Sequence, residues 1–508
     1  MSKVYLVGAG PGDPELITLK GRRLLERADS VLYDYLANPA LLDLAPAQAE
    51  RIYVGKKQSV HAFSQDEICA MMIERVGRGL NVVRLKGGDP FIFGRGGEEA
   101  EALAAAGVAF EIVPGVTSPL GIAAYTGVPL THREHTKVVT FVTGHDAEGI
   151  DWSKVGGTET LVIFMGIFAF DEIARALIAH GRAPDTPAMA VRWGTRPDQH
   201  TLAGTLATLP GLIHEHDLKP PATIIIGEVV GLREKLNWFD RLPLFGQRIV
   251  VTRARGQAEA LSSGLRALGA DAIELPAIEI LPALDYDPLD QAIANLGLYD
   301  WLIFTSANGV RFFLERLDRS AVDLRALRAR ICAIGPATRA AIEALHLKVD
   351  VMGKDYVAEG MLAAFGAYNL AGHRVLLPRA AVARDLVPVE LARRGAVVDV
   401  VEAYRTAVPE GARTAAAGIF GAARKPDWVT FTSSSTVRNL VAVAGAAAVA
   451  GVKAASIGPV TSATARALGI EVTVEASVFT VDGLVEAILR EVSLKRKGHR
   501  GLPRLRRG

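Results

Sequence analysis

The sequence predicts an α/β protein whose second half is a duplicated pair of lobes. Short β-rich runs alternate with helical stretches along the whole chain, as where Val4-Tyr5-Leu6-Val7 leads through a glycine turn into helical apolar spacing over 19–28. That alternation is the pattern of parallel sheets with crossover helices. The second half also echoes itself. Arg248-Ile249-Val250-Val251 returns as Arg374-Val375-Leu376-Leu377, Asp300-Trp301-Leu302-Ile303-Phe304-Thr305-Ser306 as Asp427-Trp428-Val429-Thr430-Phe431-Thr432-Ser433, and Ile334-Gly335-Pro336 as Ile457-Gly458-Pro459, at offsets of 126, 127 and 123 residues. Three motifs at nearly one offset mark a duplicated α/β lobe. Two such lobes enclose a cleft, and ligands favour such interfaces.

The elements follow in order. After the strand at 4–7 and the turn at 8–13, strand and helix patterns recur at 82–85, 98–106 and 138–143, and Ile224-Ile225-Ile226 reads as a last buried strand. The stretch 232–242 then runs into Pro243 and Gly246, which sets a domain boundary near 241–247. The first repeat copy opens at Arg248 and is interrupted; the second opens near Arg374 and closes with a helix near 481–491. At 508 residues the chain is too long for one core, and roughly 150 residues per domain gives about three or four units.

Composition narrows the class. Half the residues are hydrophobic and 22% are charged, which suits a globular protein and not a disordered one. No 18-residue apolar run and no signal-peptide profile are present, so a cytoplasmic protein without a membrane or nucleic-acid partner is expected. Cys69 and Cys332 form no framework and no metal motif, and read as structural thiols; no metal site is expected. The net charge of +2 conceals seven basic residues after Glu491, so the rest of the chain carries −5. This basic tail over 493–508 is expected to be solvated and disordered.

Gly8-Ala9-Gly10-Pro11-Gly12-Asp13 lies between a strand and a helix, but Asp13 replaces the last glycine of a dinucleotide turn and Pro11 stiffens it. Leu85-Lys86-Gly87-Gly88-Asp89-Pro90-Phe91-Ile92-Phe93-Gly94-Arg95-Gly96-Gly97-Glu98-Glu99 is more specific, a glycine-rich loop with interleaved Phe, Arg and acids leading into a helix. With Tyr33-Asp34, Val54-Gly55-Lys56, Val113-Pro114-Gly115-Val116-Thr117-Ser118, Gly127-Val128-Pro129-Leu130-Thr131-His132-Arg133 and Leu236-Asn237-Trp238-Phe239, residues 3–240 resemble the uroporphyrinogen-III C-methyltransferases. The resemblance implies a tetrapyrrole-methyltransferase fold of two α/β subdomains, about 1–114 and 115–242, joined in a homodimer. It also implies transfer of two methyl groups from S-adenosyl-L-methionine to uroporphyrinogen III, giving S-adenosyl-L-homocysteine and precorrin-2 on the way to sirohaem or cobalamin. On that footing Pro11, Gly87, Gly88, Asp89, Ile92, Thr117, Ser118, Met165 and Gly194 line the methyl-donor site, with Asp34 as proton acceptor and Lys56 as proton donor. The family commonly has Thr-Ala where this chain has Thr117-Ser118.

The residues support that chemistry on their own terms. Methyl transfer from a sulfonium needs in-line positioning, and a carboxylate such as Asp34 can take the proton displaced afterwards. Arg84, Lys86, Arg95, His132 and Arg133 are candidates to pair with the substrate's carboxylates.

In the second half Thr305-Ser306 and Thr432-Ser433 end matched strands and lead into helices, which is capping chemistry at the sheet edge where ligands bind. With Val251-Thr252-Arg253, Ala333-Ile334-Gly335-Pro336-Ala337-Thr338, Tyr356, Glu359-Gly360-Met361 and Glu402-Ala403-Tyr404-Arg405-Thr406, residues 247–492 resemble uroporphyrinogen-III synthase, a duplicated two-lobed α/β domain. The resemblance implies closure of hydroxymethylbilane with inversion of its last ring. Thr252, Arg253, Thr305, Ser306, Gly335, Thr432 and Ser433 are the candidate substrate contacts, and Tyr356, matched by Phe479 in the other copy, is the candidate for assisting hydroxyl departure. Two rival readings remain at this stage: a methyltransferase acting on a later corrinoid precursor, and a second half that binds tetrapyrrole without catalysis.

Overall fold

The structure, a computed structural model, describes residues 2–55, 63–145, 149–353 and 358–500, with the side chains of 255 and 495–500 left aside. Lys56 and Tyr356 lie outside the described residues. Two compact units divide the chain, one formed chiefly by Met1–Arg248 and the other by Ile249–Ser263 and Ala272–Glu491.

The first unit holds two five-stranded sheets. Strands β1 (Val4–Gly8), β2 (Ser30–Tyr33), β3 (Glu50–Tyr53), β4 (Val82–Lys86) and β5 (Phe110–Val113) run in the order β3-β2-β4-β1-β5, all pairs parallel. Such a sheet is covered on both faces, and β4 is buried at every position, its arginine and lysine included. The second sheet contains β6 (Val139–Thr143), β7 (Thr160–Phe164), β8 (Pro187–Arg192), β9 (His200–Thr205) and β10 (Ala222–Ile226) in the order β6-β7-β10-β8-β9, parallel only between β6 and β7. Side-chain caps fix where helices start: Thr18 accepts from Gly21 N, and Ser64 forms a reciprocal capping box with Glu67.

The second unit is two-lobed, as the repeat predicts, but the copies are interleaved. One lobe is the sheet β12-β11-β19-β20-β21, from β11 (Arg248–Val251), β12 (Asp271–Glu274), β19 (Trp428–Phe431), β20 (Lys453–Ser456) and β21 (Val472–Glu475). The other is β13-β18-β17-β14-β15-β16, from β13 (Glu279–Pro282), β14 (Trp301–Phe304), β15 (Arg330–Ala333), β16 (Val351–Met352), β17 (Arg374–Ala380) and β18 (Val397–Ala407). Val250 pairs with Val429, while its repeat counterpart Leu376 pairs with Leu302. The opening strand of each sequence copy therefore sits beside the central strand of the other, so a spatial lobe is not one sequence copy. The apolar faces decide this: Val250, Phe431 and Val437 share one core, and Leu376, Leu302 and Phe313 share another.

The closing helix Val481–Arg500 also outruns expectation. Leu484, Ile488 and Val492 recur every four residues on its buried face, and the helix continues through the first part of the supposed disordered tail. No helix among the described residues is long and apolar enough to cross a membrane.

Candidate active sites

At the carboxyl edge of the first sheet three loops cross with no room for side chains. Gly10 and Gly88 form a bridge, Gly10 N donating to Gly88 O at 3.2 Å and Gly88 N to Gly10 O at 2.8 Å. A β-carbon on Gly115 would lie 2.3 Å from Gly88 O and 2.8 Å from Gly8 Cα. Gly88 has φ +67, a conformation that only glycine adopts cheaply. Asp89 fastens the crossing, with Oδ1 accepting from Phe91 N at 2.8 Å and Oδ2 from Gly115 N at 2.9 Å.

The helix Ser118–Thr126 gathers the remaining donor-site candidates. A β-carbon on Gly88 would sit 3.5 Å from Ser118 N, one on Gly121 would strike Pro11 Cγ at 2.5 Å, and one on Gly194 would strike Ile122 Cγ1 at 2.2 Å. Pro11, Gly88, Thr117, Ser118 and Gly194 thus meet around one helix start, beside Gly87 and Asp89. Ile92 and Met165 stand 37% and 53% exposed. Phe93, Arg95, Met165, Trp193 and Thr195 are non-glycine residues at positive φ, and this strain is concentrated in the loops around the crossing.

Asp34 follows β2. Its Oδ1 accepts from Leu36 N at 3.0 Å and its Oδ2 from Arg84 Nη2 at 3.2 Å, with the side chain 22% exposed. Arg84 and Lys86 do not offer their ends to a ligand. Each is 4% exposed and is turned inward onto Glu99, because β4 is the covered centre of the sheet. Burial, and then the neighbouring Arg84 charge, pulls the Lys86 pKa below its ordinary value. Arg95 and Arg133 are exposed, Arg95 pairing with Glu98 at 3.1 Å. His132 is half-buried; its Nδ1 accepts from Glu134 N at 3.2 Å, and ligand-capable atoms of His132, Glu134 and His135 lie within 4.8 Å of one another. Sequence reasoning missed Glu99, fully buried at the start of the helix Gly96–Ala105. It also missed Tyr35, whose ring meets Trp193 at 5.2 Å while Arg196 lies over Trp193 at 4.2 Å.

In the second unit both matched serines are caps. Ser306 Oγ accepts from Gly309 N at 3.0 Å, and Ser433 Oγ from Thr436 N at 3.2 Å. Thr305 and Thr432 are half-buried beside them, and Gly335 opens the helix Pro336–Glu343. Thr252 is fully buried and donates to Thr430 O at 2.7 Å, a bond that joins β11 to β19. Burial lowers the Arg253 pKa, and no carboxylate among the described residues pairs with it. Ser306 Oγ also lies 2.9 Å from Tyr404 Oη, and the Tyr404 ring stacks on Phe312 at 5.7 Å and 13°. Burial holds that phenol above its ordinary pKa. Among the described residues Tyr404 is the tyrosine that meets this strand end; its motif was read in the sequence without a role for the phenol. Across the two lobes Gln257 Nε2 donates to Asn308 Oδ1 at 3.0 Å, joining the helices that follow β11 and β14.

Residues 3–210 match the family model of tetrapyrrole (corrin/porphyrin) methylases, and residues 259–486 that of uroporphyrinogen-III synthase. The porphyrin biosynthesis protein HemD of Ruminiclostridium josui is 36% identical over 497 residues, covering 96% of this chain and 97% of that protein. The siroheme synthase of Pseudomonas fluorescens is 52% identical over 242 residues, 47% of this chain; only about half of that relative is matched. The crystal structure of uroporphyrin-III C-methyl transferase from Thermus thermophilus, complexed with S-adenyl homocysteine, is 42% identical over 46% of this chain and all of that one, with a TM-score of 0.40. A relative matched along nearly its whole length, with a methylase pattern in the first half and a synthase pattern in the second, decides the assignment: the chain belongs to the family of that porphyrin biosynthesis protein, as an enzyme of tetrapyrrole biosynthesis that joins a methylase to a uroporphyrinogen-III synthase.

Proposed function

We propose that the second unit closes hydroxymethylbilane to uroporphyrinogen III with inversion of ring D, and that the first unit methylates this product twice to precorrin-2, for sirohaem or cobalamin. The observation that carries the reading is the side-chain-free crossing of Gly8, Gly10, Gly88 and Gly115 with Asp34 on the neighbouring strand end. Backbone bare of side chains at a carboxyl sheet edge suits a small polar ligand. S-adenosyl-L-methionine, when bound, supplies an electrophilic methyl carbon on sulfur.

Pro11, Gly87, Gly88, Asp89, Ile92, Thr117, Ser118, Met165 and Gly194 hold the donor, and fixed backbone there limits its approach to one direction, which is how positioning lowers such a barrier. Asp34 takes the proton that the macrocycle loses once the methyl group has been attached, with Lys56 returning one. Arg95, His132 and Arg133 meet substrate carboxylates. In the second unit Arg253 and the capped edges at Thr305-Ser306, Gly335 and Thr432-Ser433 hold the bilane, and Tyr404 donates to the departing hydroxyl. We place the enzyme in the cytoplasm as a homodimer through its methylating unit.

Mass spectrometry of products from hydroxymethylbilane, with and without S-adenosyl-L-methionine, tests both halves. Uroporphyrinogen III without the donor and a two-methyl gain with it is the expected result. Methylation of supplied uroporphyrinogen III alone would make the second unit a binding module.

A further inference from the structure

We propose that Glu99 is a positioning residue for methyl transfer, fixing Arg84 so that its remaining edge meets the Asp34 carboxylate. The inference rests on the reading of Asp34 as proton acceptor. Three donors converge on one oxygen of Glu99: Gln65 Nε2 at 3.0 Å, Arg84 Nε at 3.1 Å and Lys86 Nζ at 2.8 Å. The other oxygen is sealed from solvent and has no hydrogen-bond partner among the described residues. Arg84 is a rigid planar fork. Its Nε is held by Glu99 and its Nη1 donates to Leu85 O at 3.1 Å, which aims Nη2 at Asp34 Oδ2. A buried ion cluster gains little stability over well-packed apolar residues. Folding alone therefore gives weak reason for placing one at the base of this loop.

The cluster is balanced, with Asp34 and Glu99 against Arg84 and Lys86. Removing the Glu99 charge leaves two cations facing Asp34, and nearby cations hold a carboxylate ionised and make it a poorer proton acceptor. Among the described residues the other titratable groups around the cluster are Cys69 and Asp66 on the helix Gln65–Gly77, Glu98 beside Lys86, and Tyr53 beside Asp34. None of these replaces the lost charge next to Arg84.

The test is Glu99→Gln in the full chain, following methylation of supplied uroporphyrinogen III against pH. We expect kcat to fall about tenfold or more, as when a proton-transfer group is impaired. The KM for S-adenosyl-L-methionine should stay within about twofold, while the acidic limb of the profile moves to lower pH by roughly half a unit or more. Combining Lys86→Gln with Glu99→Gln restores the balance and should bring the limb back, a return that a purely structural role does not produce. If the single variant fails to fold, the neutral double variant still decides: a parental limb with kcat lowered about tenfold supports the role, whereas parental kcat and limb together, or a limb displaced to lower pH, overturn it. A single variant with parental kcat and parental limb also overturns it. Asp34→Asn run alongside separates the two claims. Full activity there sinks the acceptor reading and the Glu99 role with it, whereas an inactive Asp34→Asn beside a parental Glu99→Gln sinks the Glu99 role alone.

Discussion

Ser306 Oγ lies 2.9 Å from Tyr404 Oη, so the residue that caps the helix Ala307–Leu317 also holds the tyrosine at the strand edge. The phenol is protonated through neutral pH at its ordinary pKa, and burial, which raises that pKa, holds it further from ionisation. Tyr404→Phe retains the ring on Phe312 and removes only the donor. Synthase turnover should fall by about tenfold to a hundredfold, with methylation of supplied uroporphyrinogen III unchanged; a coupled assay of both products reads this directly.

Gly115→Ala places a methyl group 2.3 Å from Gly88 O, on backbone that cannot swing away. The strain should cost about 1–3 kcal/mol of stability in the first unit. Affinity for S-adenosyl-L-homocysteine should drop by about tenfold or more, since small displacements disturb a positioned site. Calorimetric titration and synthase turnover together check the outcome, because the second unit should be unaffected.

The glycine loops and the repeat were legible in the sequence because both are local: a crossing of backbones demands glycine wherever it occurs, and a duplicated strand keeps its residues. The pairing of Val250 with Val429 instead of a nearer strand was not legible. Repeat offsets are the same whichever copy supplies the neighbour, and only the three-dimensional core chooses. Arg84 and Lys86 misled for a related reason. Their place among the glycine motifs suggested contact with substrate carboxylates, but the centre of a parallel sheet has no solvated face, and Glu99 takes both cations inward.

Both thiols should be inert in the folded protein. Cys332 is buried with its pKa pushed up to about 12 and Cys69 is raised as well, burial being the first cause for each. At pH 8 the reactive thiolate of Cys332 is on the order of one part in ten thousand. An aromatic disulfide reagent should therefore label neither cysteine in native buffer and both in denaturant. Rapid native labelling would contradict the burial described here.

The interleaved lobes predict which fragment of the second unit folds. Residues 278–408 contain all of β13 to β18, and the two cores built on Phe313 and Trp301 draw their buried members from this span alone. Residues 248–373, a full copy of the sequence repeat, contain β11 and β12 but lack β19, whose strand covers Ile249, Val250 and Val251. That copy would leave an apolar, unpaired strand edge, which invites aggregation. The fragment 278–408 should therefore unfold cooperatively in urea, with dispersed amide resonances, whereas 248–373 should show no cooperative transition. The reverse result would mean that the sequence repeat, and not the spatial lobe, is the unit of folding, and that exchange of opening strands between copies happens only once both copies are made.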